Sequence, residues 1–172
     1  LEADLGLRSR VSAGSVFFVD VPLSPATWSE PEPAAAETAP APATLAGLTI
    51  CAIDNEPRIL DGMRVMLEGW GCTVVTAGSR AEAIEAFDSA AMRPDAAVVD
   101  YHLDADNGVD VVAALRERYG AELPAVLVTA DRTEELRAEA AASDIRVLAK
   151  PLKPAALRSL LSQWRVTRSA AE

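Results

Sequence analysis

An α/β domain spanning residues 47–168, with a five-stranded parallel sheet and helices on both of its faces, is what this sequence predicts. Three observations carry the prediction. Five apolar runs of strand length recur along the segment, and each is followed by residues with helical period. The runs are continuously apolar, as expected of parallel strands covered from both sides rather than from one. Four of the five stop at a polar residue able to do chemistry: Asp54, Asp100, Thr129 and Lys150.

The elements follow in order. Leu48 to Ile53 is the first strand, and Ile59, Met63, Met66, Leu67 and Trp70 form the stripe of the first helix. Thr73 to Ala77 is the second strand, followed by a helix carrying Ala83, Ile84 and Phe87. Ala96 to Val99 is the third, followed by Val112, Leu115 and Tyr119 at helical spacing. Ala125 to Val128 is the fourth; the helix after it, Thr133 to Ala142, is mostly Glu, Arg and Ala and has a thin apolar stripe. Ile145 to Leu148 is the fifth, followed by Leu157, Leu160, Leu161 and Trp164. Trp70 and Trp164 close apolar stripes and are read as core rather than ligand platforms.

Around this domain the chain changes character. Residues 23–46, together with Pro22, hold six prolines and no base, a composition that can neither keep a helix nor bury a face, and they read as a linker. Residues 1–22 suggest two short strands around a Ser/Gly turn, too small to fold alone. Residues 169–172 are a tail. The sequence opens on Leu1 without a methionine, which suggests a piece of something longer.

Composition narrows the function. The 172 residues carry 26 acids and 16 bases, a formal charge of −10, of which −5 belongs to residues 47–168. No apolar run approaches the roughly 20 residues of a membrane span, so direct membrane contact is not expected. No basic stripe offers a footprint for phosphate backbones, so no nucleic acid is expected as a partner. Cys51 and Cys72 form no CxxC, read as buried free thiols, and fit a reducing, cytoplasmic setting. Of the 16 bases only Lys150 and Lys153 are lysines. A chain that otherwise uses Arg keeps Lys where a compact ammonium is wanted, and Lys150 is the one at a strand end.

In an open parallel sheet, ligands bind beyond the carboxyl ends of the strands, near the point where strand order reverses. Asp54, Asp100, Thr129 and Lys150 are expected to converge there. Clustered carboxylates repel unless a hard cation sits among them, and Mg²⁺ prefers about six oxygen ligands. Mg²⁺ beside a lysine makes a receptor for a phosphoryl group, and aspartate can serve as the nucleophile. The constellation reads as phosphoryl transfer to a carboxylate.

These motifs resemble the receiver domain of two-component response regulators. The resemblance rests on Asp54-Asn55-Glu56 after the first strand, Asp100 with Gly108 eight residues on, Thr129-Ala130 after the fourth strand, and Lys150-Pro151 after the fifth. It implies a flavodoxin-like (βα)5 fold with strand order 2-1-3-4-5. By resemblance Asp100 is the phosphoacceptor, and Asp54, Asn55, Asp100 and the backbone carbonyl of His102 hold Mg²⁺. Thr129 would bond a phosphoryl oxygen, Lys150 would bridge Asp100 and the phosphate, and the Lys150-Pro151 bond would be cis. Such a domain catalyses only its own phosphorylation and dephosphorylation. Residues 7–22 are similar to the closing strand pair of the ATP-binding domain of sensor histidine kinases. Kinase end, linker and receiver together suggest the carboxyl end of a hybrid histidine kinase. The implied partner is the kinase core in cis or a separate histidine phosphotransfer protein, and a homodimer is compatible with the same reading.

Three features depart from the family pattern. Asn55 replaces an acid, which removes one negative charge and implies weaker Mg²⁺ binding. Val147 stands where many receivers carry a switching aromatic. Leu103-Asp104 replaces Met-Pro, and Asp100, Asp104, Asp106 and Asp110 crowd one loop. Asn55 and Val147 favour a rival, a pseudo-receiver acting as a non-catalytic binding or dimerisation module. A phosphatase or nucleotidase of similar layout is disfavoured, because no phosphate-cradling glycine loop is present. His102, the single histidine, is read as a main-chain ligand with its imidazole in solvent, and Glu134, Glu135 and Glu139 as a solvated face.

Overall fold

The computed structural model describes residues 4–10, 14–20, 45–104 and 106–169, in two units, one within residues 1–39 and one within 40–172. In the first, β1 (Asp4–Arg10) and β2 (Gly14–Asp20) pair antiparallel, with Arg10 opposite Gly14 and Leu7 opposite Phe17. Two strands were expected here; the turn between them lies outside the described residues, as do most of the linker and the tail. Leu7, Val16, Phe17 and Val19 are all more than half exposed, as in a ribbon without a core of its own.

The second unit alternates strand and helix throughout. Its elements are β3 (Thr49–Ile53), α1 (Pro57–Gly69), β4 (Thr73–Ala77), α2 (Arg80–Ser89), β5 (Ala96–Asp100), α3 (Gly108–Tyr119), β6 (Ala125–Thr129), α4 (Glu134–Ala142), β7 (Arg146–Ala149) and α5 (Pro154–Ser169). All strand pairs are parallel, in the order β4-β3-β5-β6-β7, which is the expected 2-1-3-4-5.

Alternation along each strand divides the core between the two faces. Cys51, Ile53, Val99 and Leu127 pack with Phe87 of α2, Val111 and Leu115 of α3 and Ala140 of α4. Ile50, Ala52, Val98 and Val126 pack with Met63 and Leu67 of α1 and Leu157 and Leu161 of α5. β5 and β6 are buried along their whole length, so their continuous apolar runs reflect cover from both sides. α4 buries only Leu136 and Ala140, the thin stripe its composition implies.

Local signals set the helix ends. Ser79 caps α2 by accepting from the Glu82 amide, while the Glu82 carboxylate accepts from the Gly78 amide. Asn107 caps α3 through the Asp110 amide at 2.9 Å, and Pro57 occupies the first turn of α1. The packed unit starts earlier than composition indicates. Leu45, which composition assigns to the linker, is fully buried, and its carbonyl takes the Leu48 amide at 3.2 Å. A single leucine surrounded by Pro, Ala and Thr carries no periodic signal, so only packing reveals it.

Gly108 explains the glycine spacing. It begins α3 directly against the strand that ends in Asp100, donating its amide to the Tyr101 carbonyl at 2.9 Å. An added Cβ would lie 2.5 Å from Leu127 Cδ2 and 2.7 Å from the Asp100 carbonyl oxygen. Gly108→Ala is expected to destabilise the domain by about 1–3 kcal/mol, read as a lower denaturation midpoint with unchanged m-value.

Candidate functional site

Strand register builds the site. Ile53 pairs with Val99, so Asp54 and Asp100 follow one another on neighbouring strands, on either side of the point where strand order reverses. Val128 pairs with Asp100, and Ala149 with Thr129, so Thr129 and Lys150 each extend one step further along the next strand. The four residues expected to converge therefore lie along one rim. The Lys150-Pro151 bond is cis, as expected.

Asp54 and Thr129 are fully buried and Asp100 is 5% exposed. Lys150 Nζ lies 3.1 Å from Asp100 Oδ1 and 3.2 Å from Asp54 Oδ2, so one ammonium serves two buried carboxylates. Burial works against the charge on Lys150, but the carboxylates of Asp100 and Asp54 outweigh it and hold its pKa above the ordinary lysine value. Asp54 Oδ1 accepts from the Glu56 amide at 2.8 Å. Thr129 Oγ1 accepts from the Asp131 amide at 3.0 Å, which leaves its hydroxyl proton to donate elsewhere.

The aspartate-rich loop separates into distinct partnerships. Asp106 pairs with Arg80 at 3.3 Å, and the Asp110 amide bonds the Asn107 cap. Asp104 Oδ1 accepts from Asn55 Nδ2 at 2.7 Å. Nothing local in the sequence announces that last contact, which joins residues 49 apart in the chain. His102 is exposed, its ring meets Tyr101 edge-on at 4.8 Å, and its backbone bridges to Asn107. Tyr101 Oη donates to Glu139 on α4 at 3.4 Å, and burial, reinforced by Glu139, raises its pKa. Lys153 is exposed, away from any ion pair among the described residues. Cys51 and Cys72 are free and buried, and burial pushes the Cys51 thiol up to about 12.

The donor set suits a hard cation. Asp54 and Asp100 keep one uncompensated negative charge after Lys150 is counted. Among the described residues no group of three or more His, Cys, Asp or Glu side chains is arranged around a common metal position.

A doubly wound α/β domain with an acidic, lysine-bridged rim at its switch point is thus defined. The family model for the response regulator receiver domain matches residues 50–162, and the chain belongs to that family, which places it in two-component signal transduction. Membership implies a histidine kinase or phosphotransfer protein as partner. A 14.6-kDa protein from the sodA1 3' region of Leptolyngbya boryana is 32% identical over 123 residues, covering 70% of this chain and 92% of that protein. The transcriptional regulatory protein KdpE of Mycobacterium tuberculosis is 32% identical over 95 residues, 55% of this chain and 41% of KdpE. The DNA-binding response regulator MtrA of Mycolicibacterium smegmatis is 30% identical over 107 residues, 61% of this chain and 45% of MtrA. The chain therefore spans less than half the length of these two regulators. Among solved structures, the Vibrio cholerae chemotaxis protein CheY4 superposes with TM-score 0.61 at 24% identity, covering 67% of this chain and 97% of that one. A receiver domain protein from Clostridium thermocellum gives 0.62 at 20% identity, covering 73% and 99%. No helix among the described residues is long and apolar enough to cross a membrane.

Removing the shared ammonium tests the electrostatics. Lys150→Met leaves two buried carboxylates without their counter-charge and is expected to cost about 1–3 kcal/mol at pH 7, with Asp54→Asn in the same chain recovering part of it. Because the folded pKa of Lys150 lies above its unfolded value of about 10.4, its contribution is complete below that pH and lost as pH rises through the folded pKa. The gap between wild type and Lys150→Met, followed by denaturant melts, should narrow in that alkaline range.

Proposed function

We propose that the domain accepts a phosphoryl group from a phosphohistidine onto Asp100. The observation that carries this reading is the Lys150 ammonium held between Asp100 and Asp54 at the switch point of the sheet. Lys150 engages Asp100 Oδ1, which leaves Oδ2 to attack phosphorus. The new O–P bond forms as the donor's N–P bond breaks, and the electron pair and the imidazole leave together. The Thr129 hydroxyl, accepting from Asp131, is free to donate to a phosphoryl oxygen, and Lys150 remains beside the charge carried by the acyl phosphate. Asp54, Asn55, Asp100 and the His102 carbonyl would hold Mg²⁺, which supplies charge neutralisation at the phosphoryl oxygens when bound. Water attack on the acyl phosphate resets Asp100.

The surrounding chain supports a place in a hybrid histidine kinase, with the receiver following the kinase core. The antiparallel pair β1–β2, rich in exposed apolar side chains, would suit the closing strand pair of a larger sheet. A Pro/Ala-rich segment then tethers the receiver, so a kinase core in the same polypeptide would act at high effective concentration. A phosphotransfer protein is the donor if transfer runs in trans. The two buried free thiols support a reducing, cytoplasmic setting.

Incubation of the chain with a small acyl phosphate and Mg²⁺, followed by intact mass measurement, is expected to add one phosphoryl group. The increment should vanish in Asp100→Asn and with EDTA. Absence of any increment across Mg²⁺ concentrations would contradict phosphoacceptance and leave a non-catalytic binding module.

A further inference from the structure

We propose that Asp104 is the acid that replaces the carboxylate missing at position 55, orienting the Asn55 amide and setting the cation affinity of the site. The inference rests on the ion site proposed above and concerns a residue that the receiver resemblance leaves without a role.

Charge counting supplies the first argument. Asp54 and Asp100 with Lys150 sum to one negative charge, whereas a third carboxylate brings the site to two, matching a divalent cation. Geometry supplies the second. Asp104 Oδ1 lies 2.7 Å from Asn55 Nδ2, a short bond between an amide and a charged acceptor. A carboxylate only accepts, so the NH₂ end of the amide must face Asp104, which leaves Oδ1 as the coordinating atom of Asn55. Without such a partner either end of the amide could face the ion, and half of those orientations would present a donor to a cation.

Asp104 also lacks a counter-charge among the described residues. Asp106 in the same loop is neutralised by Arg80, yet Asp104 makes no ion pair with a base among the described residues. An uncompensated acid bonded to Asn55, the residue next to the buried Asp54, would raise the electrostatic cost of the metal-free site, and a bound cation would recover that cost. A latch between two loops would need only an acceptor at position 104, which an amide provides equally well.

That difference makes the test. Mg²⁺ binding is measured by calorimetry on the full chain for wild type, Asp104→Asn, Asp104→Ala, Asn55→Asp, the double variant Asn55→Asp/Asp104→Asn, and Asp54→Asn as a site control. Circular dichroism confirms the fold of each exposed-site variant. Asp104→Asn keeps an acceptor and loses the charge, and is expected to weaken binding about five-fold; Asp104→Ala should weaken it at least as much. Asn55→Asp should tighten binding by a similar factor, and the double variant, which returns the carboxylate to position 55, should fall within about two-fold of wild type. Asp104→Asn indistinguishable from wild type, with weakening confined to Asp104→Ala, would reduce the contact to a latch and overturn the proposal while leaving the ion site intact. Failure of the wild type to bind Mg²⁺, with Asp54→Asn no different, would overturn the ion site itself and this proposal with it.

Discussion

Two carboxylates buried side by side, with one ammonium between them, are the constraint on which the rest of the molecule depends. Buried acids repel and pay desolvation unless a cation compensates them, and Lys150 compensates only one of the two charges. The parallel register β3–β5–β6–β7 places these groups, and the apolar layers on both faces hold that register fixed, since a slip of one residue would exchange the faces of every strand. Stability and chemistry are therefore in tension at this rim. In the proposed function, the same residual charge would attract a divalent ion, and that ion would offset the charge of a phosphoryl group.

The neighbouring loops distribute the remaining charges around this centre. Asp106 is tied to Arg80 on α2, Asp131 turns its carboxylate back to the Thr133 amide at the start of α4, and Asp104 reaches across to Asn55. Tyr101, adjacent to Asp100, extends to Glu139 on α4. Val147 is half-buried and packs with the core on the α2–α4 side of the sheet. A loop-to-helix connection thus runs from the residue beside Asp100 to α4, while position 147 serves packing. Gly108 keeps α3 close enough to the end of β5 for this loop to stay short.

The architecture and the four-residue rim were legible in the sequence because both are written locally. Continuous apolar runs are what strands covered from both faces require, and Asp54, Asp100, Thr129 and Lys150 each sit where such a run stops. The parallel register then brings them together without further information. What could not be read depends on contacts between distant segments. Leu45 belongs to the core although its neighbours are linker-like, because it packs in the same apolar cluster as Cys72, whose thiol lies 3.7 Å from the Leu45 carbonyl. The Asn55–Asp104 bond joins two loops whose approach only the folded sheet defines. From sequence alone Asn55 was a deficit and Asp104 a crowding; in the fold the two are partners.

The identity of the nucleophile is the claim on which the functional account turns. It is tested most directly by treating the chain with acyl phosphate and Mg²⁺, trapping the product with borohydride, and locating the reduced residue by peptide sequencing in a mass spectrometer. An aspartyl phosphate is an acyl phosphate, so reduction converts the carbonyl carbon of that one aspartate to the alcohol of homoserine. Homoserine is expected at position 100 and nowhere else. Homoserine at Asp54 or Asp104, or none at any position, would contradict it.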